Sequence, residues 1–356
     1  MYYDRPRKKD RRDEGSVRAK ARPQRAQSAK RGNAGKPQRV IAPPRKKRHI
    51  ALKAALALLL LVVLALGALY FIPVSTFGAQ SAPGASVQLP GGYTHVLLIG
   101  IDTNADKTSR SDTMMILSVG KGRALLTSLQ RDTGVTIEGR SGLHRLNAAY
   151  SYGGPELLLR TINQNFGMDL SLYMLVDYDS FPELIDLLGG VYVEGIKDKE
   201  IEYLNHNMRD VLRRRYEDGR MTREEIYLLY LKEELTKGGD LHLDGLQALG
   251  YARIRKTDSD YQRTERQRRI ISAALRSLKS AGPVTAVRFA SKAIQCVETN
   301  MNFVQLLSLG EKALLTTRIE QMQLPATGTF TDEGSMFYNV DYAKNHDLFI
   351  EFVYGS

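Results

Sequence analysis

Ala54 to Ile72 is an unbroken run of 19 uncharged, mostly apolar residues, and it divides the chain into parts that cannot share one fold. Nineteen residues at about 1.5 Å per residue cross the hydrocarbon core of a bilayer. About fifty residues precede the run, and it exceeds the apolar core of a cleaved signal peptide, so the sequence predicts a retained signal anchor over residues 50–72. The charge fixes its direction. The chain carries a formal net charge of +12, yet 18 of its 51 Lys and Arg and only 4 of its 39 Asp and Glu lie in residues 1–50. The remainder is therefore nearly neutral, and the positive charge flanking the anchor places residues 1–49 in the cytoplasm and residues 73–356 outside. With no aromatic residue after Tyr3, the tail cannot bury enough apolar surface to offset its ordering entropy, and it reads as disordered. Such a basic flank suits orientation and contact with anionic lipid headgroups rather than nucleic acid. The single cysteine, Cys296, excludes an intramolecular disulfide.

Beyond the anchor, the small and turn-forming residues 73–92 read as a linker, and the domain occupies residues 93–356. "THVLLIGID", "TMMILSV" and "ALLTSLQ" are short apolar runs rich in strand formers, the last two separated by the turn "GKGR". Helical spacing follows in "GPELLLRTINQNF", with Pro155 in a first turn, and in "SFPELIDLLGG", which Gly189 and Gly190 terminate. "VYVEG" reads as a strand, residues 198–240 as a charged helical excursion at the periphery, and "DLFIEFVYG" as a final strand. The mixture predicts an α/β fold, a three-layer α-β-α extracellular domain around a mixed central sheet.

Charged residues gather where those strands end. If the first two strands lie antiparallel, Asp102, Arg110 and Asp112 share one end of the sheet, and a third strand running back brings Arg131 and Asp132 to it. Two carboxylates among arginines suit one hard divalent cation, Mg2+ or in its place Mn2+, with phosphate oxygens completing the shell. Turn-forming aspartates in surface ion pairs would give the same spacing. Farther on, "LGYARIR" taken as a strand turns Tyr251, Arg253 and Arg255 to one face. The helix after it, at about 100° per residue, places Gln267, Ile271, Ala274 and Leu278 within roughly 80° of Arg263. Arg268, Arg269, Arg276 and Lys279 fall on the opposite, solvated side. An inward arginine is costly without an anion, which is either a ligand or one of the domain's own acids.

"HVLLIGIDTNADKTSRSDTMMILSV", "TSLQRDT", "LNAAYSYGGPELLLRTINQNFG" and "LDGLQALGYARIRKTDSDYQRTERQRRII" closely resemble the LytR-CpsA-Psr (LCP) family of Gram-positive cell-envelope proteins. The resemblance runs from about Tyr93 to Leu278 and more weakly to the C-terminus. It implies a metal-dependent phosphotransferase of the cell membrane that moves a teichoic acid or capsular polysaccharide from a polyprenyl-pyrophosphate carrier to a peptidoglycan hydroxyl. By the same resemblance Asp102 and Asp112 hold Mg2+, and Arg110, Arg131, Arg253, Arg255, Arg263 and Gln267 contact pyrophosphate. Either Asp102 or Asp132 serves as the base. The helices at 157–166 and 181–188 line the path of the prenyl chain or simply pack the core; their spacing is the same in both cases. Three other readings use the same features: a pyrophosphatase acting on the carrier, a membrane-anchored regulator binding DNA through its tail, and a non-catalytic polymer-binding module.

Overall fold

The computed structural model describes residues 89–102, 110–255 and 260–355. The expected tail, the anchor, most of the linker and the Arg110 side chain lie outside the described residues. Among those described, no helix is long and apolar enough to cross a membrane.

The three expected strands form the centre of the sheet. β1 (Thr94–Asp102), β2 (Arg110–Gly120) and β3 (Arg123–Leu129) run antiparallel in sequence. Lys121 and Gly122 make a two-residue turn with φ of 49° and 73°. Positive φ at both positions matches the right-handed twist of a hairpin, and glycine takes it without strain. β6 (Leu172–Asp177) lies parallel to β1, β9 (Val297–Thr299) antiparallel to β6, and β10 (Arg318–Leu324) parallel to β3, which makes a mixed six-stranded sheet. The short pairs β4 (Gly134–Val135) with β5 (His144–Arg145) and β11 (Thr331–Asp332) with β12 (Phe337–Tyr338), and the ribbon of β7 (Val191–Ile196) with β8 (Gly239–Leu243), stand outside it.

Apolar residues on successive positions of β1 serve opposite faces. Leu97 and Ile99, with Met114, Ile116 and Leu125, bury against α1 (Leu146–Phe166) and the C-terminal α9 (Tyr342–Tyr354). Val96, Met115, Leu117 and Leu126 face the other way, toward α6 (Asp260–Ser280) and α8 (Phe303–Leu314). Leu157, Leu158, Leu159, Ile162 and Phe166 of α1 pack in the first of these cores. Each buried side chain of this size contributes on the order of 1.5–3 kcal/mol.

A second core lies off the sheet. It is built from β7 and β8, α2 (Ser180–Leu187), α3 (Asp198–Glu217), α5 (Gly245–Ala252) and the inner face of α6. α4 (Arg223–Glu233) and α7 (Pro283–Cys296) complete the order. α3 therefore corrects the expectation of a solvated excursion. Ile201, Leu204, Met208, Val211 and Leu212 form a buried stripe on it, while α4 alone among the two has no buried residue. α5 corrects the expected strand in "LGYARIR". Asp244 caps it by accepting from the Gln247 amide at 2.8 Å, and Gln247 reciprocates, which is a helix-start signal that outweighs the strand-like alternation. Gly250 is needed there because a Cβ would stand 2.9 Å from the Leu204 carbonyl oxygen of α3. "DLFIEFVYG" is also a helix, α9, capped by Asp341 and burying Asn345, Phe349 and Val353 along one face.

Candidate functional site

The strand ladder itself creates the reach of Asp112. Gly100 pairs with Thr113 and Ile101 with Ser111, so Asp112 is the extra residue of a bulge. A bulge re-aims its side chain and leaves its backbone outside the ladder. The freed Asp112 carbonyl accepts from Arg263 Nη2 at 3.3 Å. Arg263 is 2% exposed, so the expectation of an inward arginine holds, and its first identifiable partner is backbone. Gln267, one turn on, is also buried and donates to the Ala252 carbonyl.

Asp102 and Asp112 close the ends of β1 and β2 and collect arginines from four other segments. Asp112 Oδ1 receives Arg131 at 3.1 Å and Oδ2 receives Arg255 at 2.5 Å. Asp102 Oδ1 receives Arg214 at 2.8 Å and Oδ2 faces Arg253 at 3.6 Å. Burial pushes the Asp112 carboxyl up, but Arg255, Arg263 and Arg131 together outweigh it and hold the group below the usual carboxylate range. Tyr178 floors the cluster. The Arg253 guanidinium lies 4.9 Å from its ring centroid, and burial pushes its phenol up to about 12, with Asp112 adding to the rise. Asp132 turns elsewhere, with one oxygen 3.4 Å from Arg131 Nε and the other 3.4 Å from Arg145 Nε. Each expected base thus stands between two guanidiniums, Asp102 between Arg214 and Arg253 and Asp132 between Arg131 and Arg145, and Asp132 Oδ1 accepts no hydrogen bond among the described residues.

Arg253 and Arg255 converge as expected but by another route. They follow α5 in the loop toward α6, with Arg253 as the helix C-cap. Arg268 overturns the expected solvated side of α6. It is buried, donating to Gln321 and Gln323 of β10 at 3.3 and 3.4 Å, and Arg269 reaches the Tyr251 hydroxyl and the Glu194 carbonyl. The physical reason is that α6 lies between the sheet and the second core and buries two faces, whereas the single-stripe pattern assumes one. Arg276 and Lys279 are exposed as expected.

Arg214 and Tyr178 are the residues the sequence reasoning passed over. Arg214 stands three residues after Val211, at the flank of the buried stripe of α3, and that stripe was the available signal. Among the described residues no group of three or more His, Cys, Asp or Glu gathers as a metal site. The donor chemistry of Asp102 and Asp112 nevertheless fits a hard cation: two carboxylates, one of them held firmly ionised, each oxygen keeping a lone pair beside its arginine.

The LytR_cpsA_psr family model matches residues 79–350. The chain belongs to this family. One relative is the Bacillus subtilis strain 168 polyisoprenyl-teichoic acid–peptidoglycan teichoic acid transferase TagV. It is 27% identical over 261 residues, which cover 70% of this chain and 61% of TagV. A transferase of the same description, TagU of Bacillus cereus strain AH820, is 27% identical over 260 residues, covering 71% of this chain and 76% of TagU. A solved structure of TagT bound to LIIa-WTA superposes with a TM-score of 0.56 at 25% identity, over 74% of this chain and 92% of that one. The family members share the mixed α/β fold with its central sheet.

Proposed function

We propose that this chain transfers a glycopolymer of the teichoic acid or capsular polysaccharide type from a polyprenyl-pyrophosphate carrier to a peptidoglycan hydroxyl, leaving a phosphodiester link. The observation that carries the reading is the convergence of Arg131, Arg214, Arg253, Arg255 and Arg263 on the strand-end aspartates, an excess of fixed positive charge at one rim of the sheet. The teichoic acid transferases TagV and TagU supply the substrate class.

Phosphoryl transfer asks a protein mainly for position and charge. Arg131, Arg253, Arg255 and Arg263, with Gln267 and Arg110, are assigned to the pyrophosphate oxygens, and Arg214 joins them. Planar guanidinium forks can hold two phosphate oxygens at once and stabilise the charge that builds on the bridging oxygen as it departs. Mg2+ or Mn2+ held by Asp102 and Asp112 would supply further neutralisation of phosphoryl oxygens when bound. Asp102 and Asp112 also anchor the arginines when no anion is present. The proposal includes the anchor over residues 50–72, the cytoplasmic tail over residues 1–49 and the described domain on the outer face of a Gram-positive type envelope, on the strength of the basic flank.

The test uses full-length protein in detergent with a geranylgeranyl-pyrophosphoryl disaccharide as donor and peptidoglycan glycan chains as acceptor. Release of prenyl phosphate that depends on acceptor, with a new sugar-phosphate-sugar bond by mass spectrometry, is expected. Release of prenyl phosphate and free sugar phosphate without acceptor would identify a hydrolase instead.

A further inference from the structure

A cavity of about 150 Å³ opens beside the arginine cluster, lined by Tyr203, His206, Asn207, Asp210, Arg253 and Arg255. That is the share of roughly five waters in the liquid, the scale of a single sugar residue. Four of the six come from one face of α3, at positions three or four apart, so a helix presents them together. The other wall is Arg253 and Arg255, the same side chains that reach Asp102 and Asp112. A ligand filling this cavity therefore has one end at the phosphate-holding arginines and the other against α3.

The lining is chemically suited to a hydroxyl-rich ring. Tyr203 is half-buried and offers a flat apolar face. Asn207 donates its amide hydrogen to the Gly250 carbonyl at 2.9 Å, which fixes the side chain. Asp210 lies 3.6 Å from His206 Nε2 and 3.3 Å from Arg213. A carboxylate facing Nε2 favours the tautomer with its proton there and leaves Nδ1 as the acceptor nitrogen, the arrangement by which carboxylates orient catalytic imidazoles. In a structure without substrate such contacts are commonly loose. Asp102, Asp112 and Asp132 each stand between two arginines.

We propose that this cavity is the acceptor-sugar subsite and that His206, oriented by Asp210, takes the proton from the attacking hydroxyl. The inference rests on the transferase reading and deepens it. The acceptor oxygen bonds to the sugar-side phosphorus while the bond from that phosphorus to the bridging oxygen breaks. The electron pair stays on the bridging oxygen and leaves as polyprenyl phosphate. The hydroxyl proton passes to His206 Nδ1 and then to solvent. The titratable and charged groups that line the cavity with the imidazole are Asp210 and Tyr203 from its own helix and Arg253 and Arg255 from the loop after α5, with Asp210 3.6 Å from Nε2. His206 is a catalytic residue in this scheme and Asp210 a positioning residue.

The experiment follows transfer from the geranylgeranyl-pyrophosphoryl disaccharide to glycan chains across pH, with full-length protein in detergent. His206→Gln should lower kcat by about 100-fold or more and abolish the acid limb of its pH profile. The dissociation constant for geranylgeranyl pyrophosphate should stay within about twofold, since His206 is exposed and takes part in none of the ion pairs that position the arginines. Free imidazole should restore part of the activity of His206→Ala, which a structural role would not allow. Asp210→Asn should shift the acid limb with a smaller loss in kcat. A His206→Gln protein within twofold of wild type, its acid limb in place, overturns the inference and leaves the transferase reading standing. A loss confined to donor KM assigns the cavity to the donor sugar and also overturns it. A wild-type protein that releases sugar phosphate but never forms the phosphodiester sinks both.

Discussion

Asp112 owes its role to a backbone irregularity, and that decides what its replacement does. The bulge sends the carboxylate toward Arg131 and Arg255 and frees the carbonyl that Arg263 holds. Asp102→Asn or Asp112→Asn keeps size and loses a hard anionic oxygen. Transfer should fall by at least about 100-fold, and chelation of divalent cations should lower wild-type activity as far. Binding of geranylgeranyl pyrophosphate, measured by calorimetry in the absence of divalent cations, should hold or tighten, because the arginines lose a competing anion. Weaker binding in both variants would show the aspartates to be scaffolding only. Arg263 and Arg268 make a second contrast. Arg263→Lys keeps charge but loses the planar fork, so kcat/KM should drop roughly 10-fold to 1000-fold, about 1.4–4 kcal/mol. Arg268→Ala should change kcat/KM by less than about threefold and instead destabilise the fold by about 1–3 kcal/mol in denaturant unfolding, since it removes buried hydrogen bonds to β10. Equal losses of activity would mean that the whole basic run acts as one surface. The inward turn of Arg263 was legible from helical phase, because it shares the stripe of Ala274 and Leu278. The bulge at Asp112 was not, because ladder register is a property of two strands and leaves no mark in either one.

At the scale of elements, apolar runs of four to eight residues divide poorly between strand and helix, and both misread segments are of that kind. α9 reads as alternation only if Asn345 is ignored; with it, Asn345, Phe349 and Val353 repeat every four residues. α5 carried its own signal in the Asp244 and Gln247 capping pair. That cap makes a further prediction. Asp244 sits against Glu233, with Asp186 and Lys232 near; burial first, then Glu233, pushes the Asp244 carboxyl up to about 7 from 3.8, while Glu233 is held low. A folded-state pKa above the unfolded one means that the native state binds the extra proton. Its contribution to stability is therefore whole below about pH 4 and is lost as pH rises through about 7. The unfolding midpoint of the wild-type domain should fall by ~2–5 °C between pH 5.5 and pH 8, and Asp244→Asn, an equally good cap, should remove that slope. A slope unchanged in Asp244→Asn would place the titrating group elsewhere.

For the whole molecule, the central sheet was readable because strands buried on both faces announce themselves as continuous apolar runs. The second core was not, because α3 hides its stripe among eleven charged or histidine side chains and only its contact with α5 and α6 shows what the stripe is for. α6 joins the two cores and so delivers Arg263 to the site. Which side of the membrane that site faces is a question for Cys296, the chain's one cysteine, partly exposed at the end of α7 and available as a reporter without engineering. The flank of Lys and Arg before Ile50 retains the tail in the cytoplasm if the positive-inside bias governs insertion. A maleimide that cannot cross membranes should then label Cys296 on intact protoplasts to at least about the level reached after lysis. In a Cys296→Ser background, a cysteine substituted for Ser28 should label only after lysis. Labelling of Cys296 only after lysis, with Ser28→Cys reactive from outside, would invert the topology and separate the arginine cluster from any acceptor in the wall.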